Sequence, residues 1–333
     1  DRRAARRSAS SGHALHSSHS SRSSLFTLFT LFTKAATMTN FADKLQNRST
    51  AVRVRITWLR LSCAVDRNTV QAFADTQAAQ ADSLRATKTI IDRKHPIVKA
   101  LTATRNEIQA YWHGMSLPYV ENGVRLINRD TLAEFTERMN EFKTQLAEQG
   151  DALAAEFDSI IATARESLGS MFDANDYPRN VAESISLSWD FPSISPPNYL
   201  RQLDPELYAA EQSKVQRRFE EAVEMAETMF ATDFAKLVED LSSRLTDDNA
   251  RFPQRKLDQI KAFMDRFRTL SVGSSSQLDA LVSDLDKLSS GVDKLNVKDD
   301  AYRESLVKKL DTMGNDLGEL IEKRPTRRLR LND

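Results

Sequence analysis

Apolar and polar residues alternate strictly in two short segments that lie far apart in the chain. The first covers residues 52–58 (VRVRITW), and the second covers residues 185–191 (ISLSWDF). A period of two residues is typical of a β-strand with one buried face. Because unpaired backbone groups are costly when buried, we predict that the two segments, at about 52–61 and 184–191, pair in a minimal two-stranded sheet.

Most of the remaining chain shows the helical period of 3.6 residues. The predicted helices cover residues 68–91, 96–112, 130–168, 205–245 and 253–270. Asp130 is the expected N-cap of the third helix, and Gly169 is its expected end. Residues 113–130 lack the helical pattern and contain Gly114, Pro118 and Gly123, so we predict an ordered loop. The predicted fold class is mainly α, with long antiparallel helices and one small sheet.

A heptad pattern of apolar residues occupies the C-terminal part of the chain. Its seam consists of Leu278, Leu281, Leu285, Leu288, Val292 and Leu295, and the same spacing resumes over residues 306–320. Such a seam predicts either a helical hairpin within one chain or a coiled coil between chains. Each run is shorter than three heptads and Gly291 lies within the first run, so the hairpin is the favoured structure.

Charge is distributed unevenly, although the 333 residues include 47 basic and 47 acidic side chains. Residues 1–37 hold six basic residues and one acidic residue, so their net charge is +5 and that of residues 38–333 is −5. A mildly acidic body, in a chain with only nine glycines and nine prolines, favours a soluble protein built from long helices. The single cysteine, Cys63, excludes an intramolecular disulfide and is typical of a reducing compartment.

The first 37 residues differ in composition from the rest of the chain. An Arg- and Ser-rich stretch precedes the repeat LFTLFTLFT, which is shorter than the roughly 20 apolar residues of a membrane span. An export signal or an organelle transit peptide is one interpretation. The favoured interpretation is a disordered segment that does not belong to the native protein. The predicted organisation then has a helical core with the small sheet at 38–250, a heptad region at 251–322 and a basic tail at 323–333.

Sequence motifs for catalysis or cofactor binding do not occur in the chain. The phosphate-binding patterns GxxxxGK[ST] and GxGxxG, the metal and redox patterns HExxH and CxxC, and the nucleophile pattern GxSxG are all missing. We therefore predict a protein that is not an enzyme and has no catalytic, cofactor-binding or metal-binding residues.

Two groups of basic residues indicate nucleic-acid binding as an alternative function. They are the tail residues Lys323, Arg324, Arg327, Arg328 and Arg330, and the strand residues Arg53 and Arg55 beside Trp58. Clustered cations contact phosphates, and aromatic side chains stack on bases. Against this alternative, the body of the chain is net acidic, and Trp58 lies on the apolar side of its strand.

Three segments in the middle of the chain occur in a recognisable order. They are a loop with Leu117, Pro118 and Tyr119, a segment with Leu168, Gly169, Phe172, Asp176, Tyr177 and Pro178, and the proline-rich turn PSISPP. Over roughly residues 50–250, the chain resembles an uncharacterised family of largely helical proteins encoded by bacterial tailed phages, prophages and mobile elements. The resemblance implies a phage or mobile-element setting in the cytoplasm of a bacterial host. It implies no catalytic residues, because that family has no established activity.

The leading prediction is a non-enzymatic interaction or assembly protein that acts through helical surfaces. Its expected partner is an unidentified protein or a second copy of the chain, and no membrane is expected. A partner site is predicted where Leu117, Pro118 and Tyr119 meet Tyr177 and Pro178 beside the sheet. The alternative is an accessory protein that binds nucleic acid.

Overall fold

Six β-strands occur in this computed structural model, which describes residues 41–246, 254–270, 275–291 and 300–322. In chain order they are β1 (Ser49–Thr57), β2 (Ser62–Ala64), β3 (Thr87–Thr89), β4 (Ser116–Pro118), β5 (Val124–Asn128) and β6 (Ser186–Asp190). Four of them form an antiparallel sheet in the order β4-β5-β1-β6, and β2 pairs with β3 in a second small sheet.

The predicted pairing of the two alternating segments is confirmed, because Val54 of β1 lies opposite Trp189 of β6. The prediction of only two strands is wrong. Residues 113–130 form the β4–β5 hairpin rather than a loop, and β5 pairs with the other side of β1. Gly123 lies in the turn of this hairpin with φ 77°, a conformation that glycine adopts without strain.

Helices fill most of the described chain. They are α1 (residues 41–48), α2 (Arg67–Thr76), α3 (Pro96–Gly114), α4 (Leu132–Leu168), α5 (Leu200–Leu203), α6 (Pro205–Thr246), α7 (Gln254–Leu270), α8 (Ser276–Gly291) and α9 (Asp300–Glu322). The mainly helical fold is therefore confirmed, as are the predicted helices that correspond to α3, α4, α6 and α7. Gly169 ends α4, as expected, but the helix begins after a short 3₁₀ turn at Arg129–Thr131 rather than at Asp130.

The predicted helix over residues 68–91 is wrong in its second half. Helix α2 ends at Thr76, and Ala78 has a left-handed backbone with φ 50°. The chain then enters β3, where the β-branched residues Thr87 and Thr89 favour an extended backbone. This strand supplies the backbone hydrogen-bond partners that β2 requires.

The four-stranded sheet carries an apolar core on each face. On one face, Val52 and Leu187 share a core with residues of α3 and α4, which we call the α4 core. On the other face, Ala51 and Leu126 share a core with residues of α1 and of α6 to α9, which we call the α6 core. Alternation along β1 produces this three-layer arrangement, because successive strand side chains point to opposite faces.

The C-terminal helices pack mainly on α6 and α7. Ser242 of α6 donates a hydrogen bond of 2.7 Å to Asp311 of α9, and Val238 lies next to Gly314, so α9 runs antiparallel to α6. Helix α8 contacts α7, with Arg268 placed 2.8 Å from Asp286. The long antiparallel partner of α9 is therefore α6, and not α8 as the predicted hairpin required.

The heptad seam contributes to the core of its own chain. Leu278 and Leu285 are buried in the α6 core, and Leu281 and Leu288 pack against it partly buried. Val292 and Leu295 lie outside the described residues. Residues on both sides of the predicted boundary near residue 250 therefore share one apolar core. The segment 1–37 and the basic tail 323–333 also lie outside the described residues.

Membrane-crossing helices are not found in the part of the chain that the structure describes, because no helix there is both long enough and apolar enough.

Candidate interaction surface

The two segments predicted to form one partner site lie in different cores. Tyr119 is buried in the α6 core against Phe219, with the ring centres 5.8 Å apart, and Leu117 is buried in the same core. Tyr177 is buried in the α4 core, where its hydroxyl donates a hydrogen bond of 3.0 Å to the carbonyl oxygen of Ile90. Both tyrosines therefore hold the fold together.

Pro118 and Pro178 are only partly buried. Pro118 ends strand β4, and Pro178 follows Tyr177 in the turn after α4. Pro118 lies between Leu117 and Tyr119, which are buried in the α6 core, whereas Pro178 follows Tyr177, which is buried in the α4 core. A partner-binding role for the five residues stays a prediction without geometric support.

The basic strand residues are paired with carboxylates. Arg53 lies 3.2 Å from Glu121, and Arg55 lies 3.3 Å from Asp190. Their strand, β1, is an interior strand rather than a sheet edge. The ring of Trp58 is covered by the guanidinium of Arg105 at 4.9 Å, so it does not form an open stacking platform with the arginines. The five basic tail residues lie outside the described residues.

A polar cluster joins β2 and β3 to the turn that follows α4. Lys88 lies 2.8 Å from Asp176 and donates a hydrogen bond of 2.6 Å to the carbonyl oxygen of Met171. The hydrogen bond with Lys88 lowers the pKa of Asp176 and raises the pKa of Lys88. Burial and the nearby Asp176 raise the pKa of the Cys63 thiol. A protonated thiol is a poor nucleophile, so the cluster is suited to joining strands rather than to catalysis.

A second cluster surrounds the end of α3. Arg125 donates hydrogen bonds of 2.8 Å to the hydroxyl and the carbonyl oxygen of Ser116. Arg266 donates to Asp233 at 2.9 Å and to the carbonyl oxygens of His113 and Gly114. Arg266 thereby satisfies carbonyl groups at the end of α3, where a helix leaves them without partners.

Burial and neighbouring positive charge shift the pKa values of two side chains in this cluster. Burial first, and then the charge of Arg266, lower the pKa of Arg125 to about 10. Burial also lowers the pKa of His113, with Arg125 and Arg266 acting in the same direction. The cluster therefore disfavours a protonated histidine.

Metal-ligating side chains do not converge anywhere in the described residues, since no group of three or more His, Cys, Asp or Glu residues there could hold a metal ion.

The longest run of described residues without a buried side chain leads into α6. No residue from 191 to 214 is buried, and Val215 is the first buried residue of α6. We call residues 199–214 the arm, which consists of α5 and the first ten residues of α6. Asp204 begins this part of α6, because its carboxylate accepts a hydrogen bond of 2.9 Å from the backbone N–H of Leu207.

Exposed apolar side chains are concentrated in the arm and in the segment just before it. Seven large apolar side chains are strongly exposed among the described residues, and they are Phe73, Met171, Phe191, Tyr199, Leu203, Leu207 and Met225. Four of the seven fall within residues 191–207, with Leu203 76% and Tyr199 62% exposed. Scattered exposed apolar residues are ordinary, but a concentration in one segment is typical of an interaction site.

A polar groove of about 510 Å³ lies between α1, residues 195–198 and the arm. Its lining offers uncharged hydrogen-bonding groups, which are Gln46, Ser195, Asn198, Tyr208, Gln212, Ser213 and Gln216. The side-chain nitrogen of Gln216 is buried and has no hydrogen-bond partner within the described residues. An amide nitrogen donates, so a partner that reaches it must offer an acceptor.

Comparisons with protein-family models, with curated proteins and with solved structures find no match to this chain. The resemblance to a phage-encoded family accordingly stays a prediction.

The arm was not among the sequence-predicted sites, although the sequence contains a signal for it. The predicted helix begins at residue 205, but its apolar stripe begins only at Val215. Ten helical residues without an apolar stripe indicate a stretch that the body of the protein does not cover.

Proposed function

We propose that the protein is a non-enzymatic interaction or assembly protein that binds another protein chain through the arm. The carrying observation is that residues 191–214 contain no buried residue, yet include four of the seven strongly exposed large apolar side chains. Apolar side chains removed from water contribute about 25 cal/mol per Å² of buried area, so covering this segment favours association.

The polar clusters of the described chain support a non-enzymatic function. One cluster, formed by Cys63, Lys88 and Asp176, joins strands to a turn. In the other cluster, Arg125 and Arg266 donate hydrogen bonds to backbone carbonyl oxygens, and Arg266 also donates to a carboxylate. Their polar groups are engaged in contacts that hold the fold. Because these groups are already engaged in such contacts, we propose that they play no catalytic part.

Nucleic-acid binding remains the alternative function, but fewer residues support it. Arg53 and Arg55 are each engaged by a carboxylate, which lowers their availability to phosphates. The alternative therefore depends on the basic tail at 323–333, whose composition is its support. A phage or mobile-element setting and a cytoplasmic location rest on the resemblance of residues 50–250 and are part of the proposal.

Affinity capture with arm variants tests the proposed function. The tagged full chain is compared with a variant carrying Leu203→Asp and Leu207→Asp, both in cells that also express an untagged copy. Phe73→Asp is the matched control, because Phe73 is 60% exposed on α2 away from the arm. We expect a protein, identified by mass spectrometry, to be retained by the unchanged chain and by the control but lost from the arm variant.

Nuclease treatment separates the two functions in the same experiment. Retention that survives nuclease and depends on the arm supports protein binding. Retention that is equal for the arm variant and the unchanged chain contradicts the proposed site. Retention that disappears with nuclease favours nucleic-acid binding through the basic tail instead.

A further inference from the structure

We infer that the arm binds the arm of a second copy of this chain, with the two helices packed antiparallel. This inference rests on the proposed function and names its partner. The observation behind it is a separation of charge along the exposed start of α6. Acidic residues come first, at Asp204, Glu206 and Glu211, and basic residues follow at Lys214, Arg217 and Arg218.

Antiparallel packing makes this charge pattern complementary to itself. If two arms cross at Ala210, Glu206 of each copy lies opposite Lys214 of the other copy. The acidic Asp204 of each copy then lies near the basic Arg217 and Arg218 of its partner. A two-fold dimer requires such self-complementarity, because the same patch is used on both subunits. Parallel packing would instead place like charges together.

The groups needed for this pairing are accessible. The Lys214 side chain is 52% exposed, and Arg217 and Arg218 are exposed on α6. Lys214 already lies 2.6 Å from Glu211 of its own helix. An exposed pair of this kind contributes little to stability, so it competes only weakly with a partner from another chain.

Side-chain size at the crossing also fits close packing. Ala209 and Ala210 are exposed and small, so two helix backbones can approach each other closely at this point. Leu207 lies about one helical turn from the crossing in each copy, where its side chain, 44% exposed in one chain, would be covered. Tyr199 and Leu203 extend the apolar contact beyond the start of α6.

The size of the arm predicts a weak dimer. The ten arm residues of α6 span about 15 Å, and a stable interface covers about 800 Å² on each partner. An aromatic side chain contributes about 150–250 Å² when fully buried, so the few apolar residues of the arm fall short of that area. We therefore expect micromolar association, which salt weakens because paired charges contribute to it.

Charge reversal tests the antiparallel arrangement directly. One variant carries Glu206→Lys and Glu211→Lys, which replaces both acidic side chains in the first ten residues of α6 with basic ones. A second carries Lys214→Glu and Arg217→Glu, which leaves Arg218 as the one basic residue among residues 204–218. Sedimentation velocity over a concentration series is expected to show a monomer–dimer equilibrium for the unchanged chain, monomers for each variant alone, and dimers again for an equal mixture of the two variants.

Controls separate this inference from the proposed function. Phe73→Asp should dimerise like the unchanged chain, and circular dichroism should show the same helix content and melting for every variant. An unchanged chain that remains monomeric at all concentrations, or a mixture that does not restore dimers, overturns the inference. If arm-dependent capture of a different protein persists in that case, the proposed function stands; if capture is also insensitive to the arm, both fail.

Discussion

At the scale of single residues, the side chains that first suggest binding prove to hold the fold together. Tyr177 packs against Phe157 and Phe172, with ring centres 6.3 and 5.5 Å away, and its hydroxyl reaches the backbone beyond β3. Tyr199, in contrast, lies at the start of the arm and is 62% exposed. The two tyrosines differ in environment and not in chemistry, so each serves as a control for the other.

Removing the hydroxyl group of Tyr177 should destabilise the fold. We expect Tyr177→Phe to reduce the free energy of unfolding by about 1–2 kcal/mol, because the buried carbonyl oxygen of Ile90 loses its hydrogen bond from this hydroxyl. Tyr199→Phe should leave the value unchanged. Urea denaturation of both variants measures the difference, and equal stabilities would contradict the assigned role of Tyr177.

The pair of Lys88 and Asp176 predicts a dependence of stability on pH. Lys88 lowers the pKa of Asp176 below 3.8, so the ionised carboxyl stabilises the folded state above about pH 4. That stabilisation is lost as the pH falls through the lowered pKa, because the protonated carboxyl no longer pairs with Lys88. We expect Asp176→Asn to cost about 1 kcal/mol at pH 7 and progressively less below pH 4.

An exposed pair provides the control for this pH profile. Arg67 and Asp82 lie 2.8 Å apart, but their side chains are 82% and 85% exposed. Asp82→Asn should therefore change stability little at any pH. Denaturant curves collected between pH 2 and 8 test both variants, and a constant difference between Asp176→Asn and the unchanged chain would argue against the pairing.

At the scale of elements, the local pattern of apolar residues predicts which face of a helix or strand is buried. It is a poorer guide to which neighbouring element covers that face. Alternation identified β1 and β6, since each has several apolar residues on one face. Strands β2 to β4 have three residues each, too few for a period to be recognised, and a proline ends β4. The heptad leucines are largely buried, as their spacing indicates, but spacing alone does not distinguish α6 or α7 from another heptad helix as the partner.

Glycine substitutions test two elements that differ in backbone conformation. A side chain at Gly318 of α9 would meet no other described atom within 4 Å, whereas Gly123 has φ 77° in the β4–β5 turn. We expect Gly318→Ala to stabilise the protein by about 0.5–1 kcal/mol through helix propensity. Gly123→Ala should destabilise it by about 1–2 kcal/mol, because alanine is strained at positive φ. Thermal melts measure both, and changes of the same sign would contradict the assigned conformations.

At the scale of the whole molecule, α6 connects the sheet to the C-terminal helices. Its 42 residues span about 63 Å. In succession it packs Phe219 on Tyr119, Phe230 on Phe267, and Val238 beside Gly314. These contacts anchor the helix from Val215 onward. Before Val215 the same helix contains no buried residue, which leaves the arm available to another chain.

The sequence could indicate much of this architecture, but its analysis did not single out the surface that we propose for interaction. Helix α6 and the start of its apolar stripe at Val215 are both readable from residue spacing. The missing stripe before Val215 indicates that the start of α6 is not covered, but the joint exposure of Leu203 and Leu207 depends on which elements pack beside them. The same limit explains why Tyr119 and Tyr177 were predicted as a binding site when both are buried.

Site-specific photo-crosslinking in cells tests the central claim most directly. A photoreactive amino acid is placed at position 207 on the arm in one chain and at position 73 on α2 in another. We predict a discrete protein adduct from position 207, which Leu203→Asp removes, and no corresponding adduct from position 73. Identical adducts from both positions, or none from position 207, would contradict the assignment of the arm as the interaction surface.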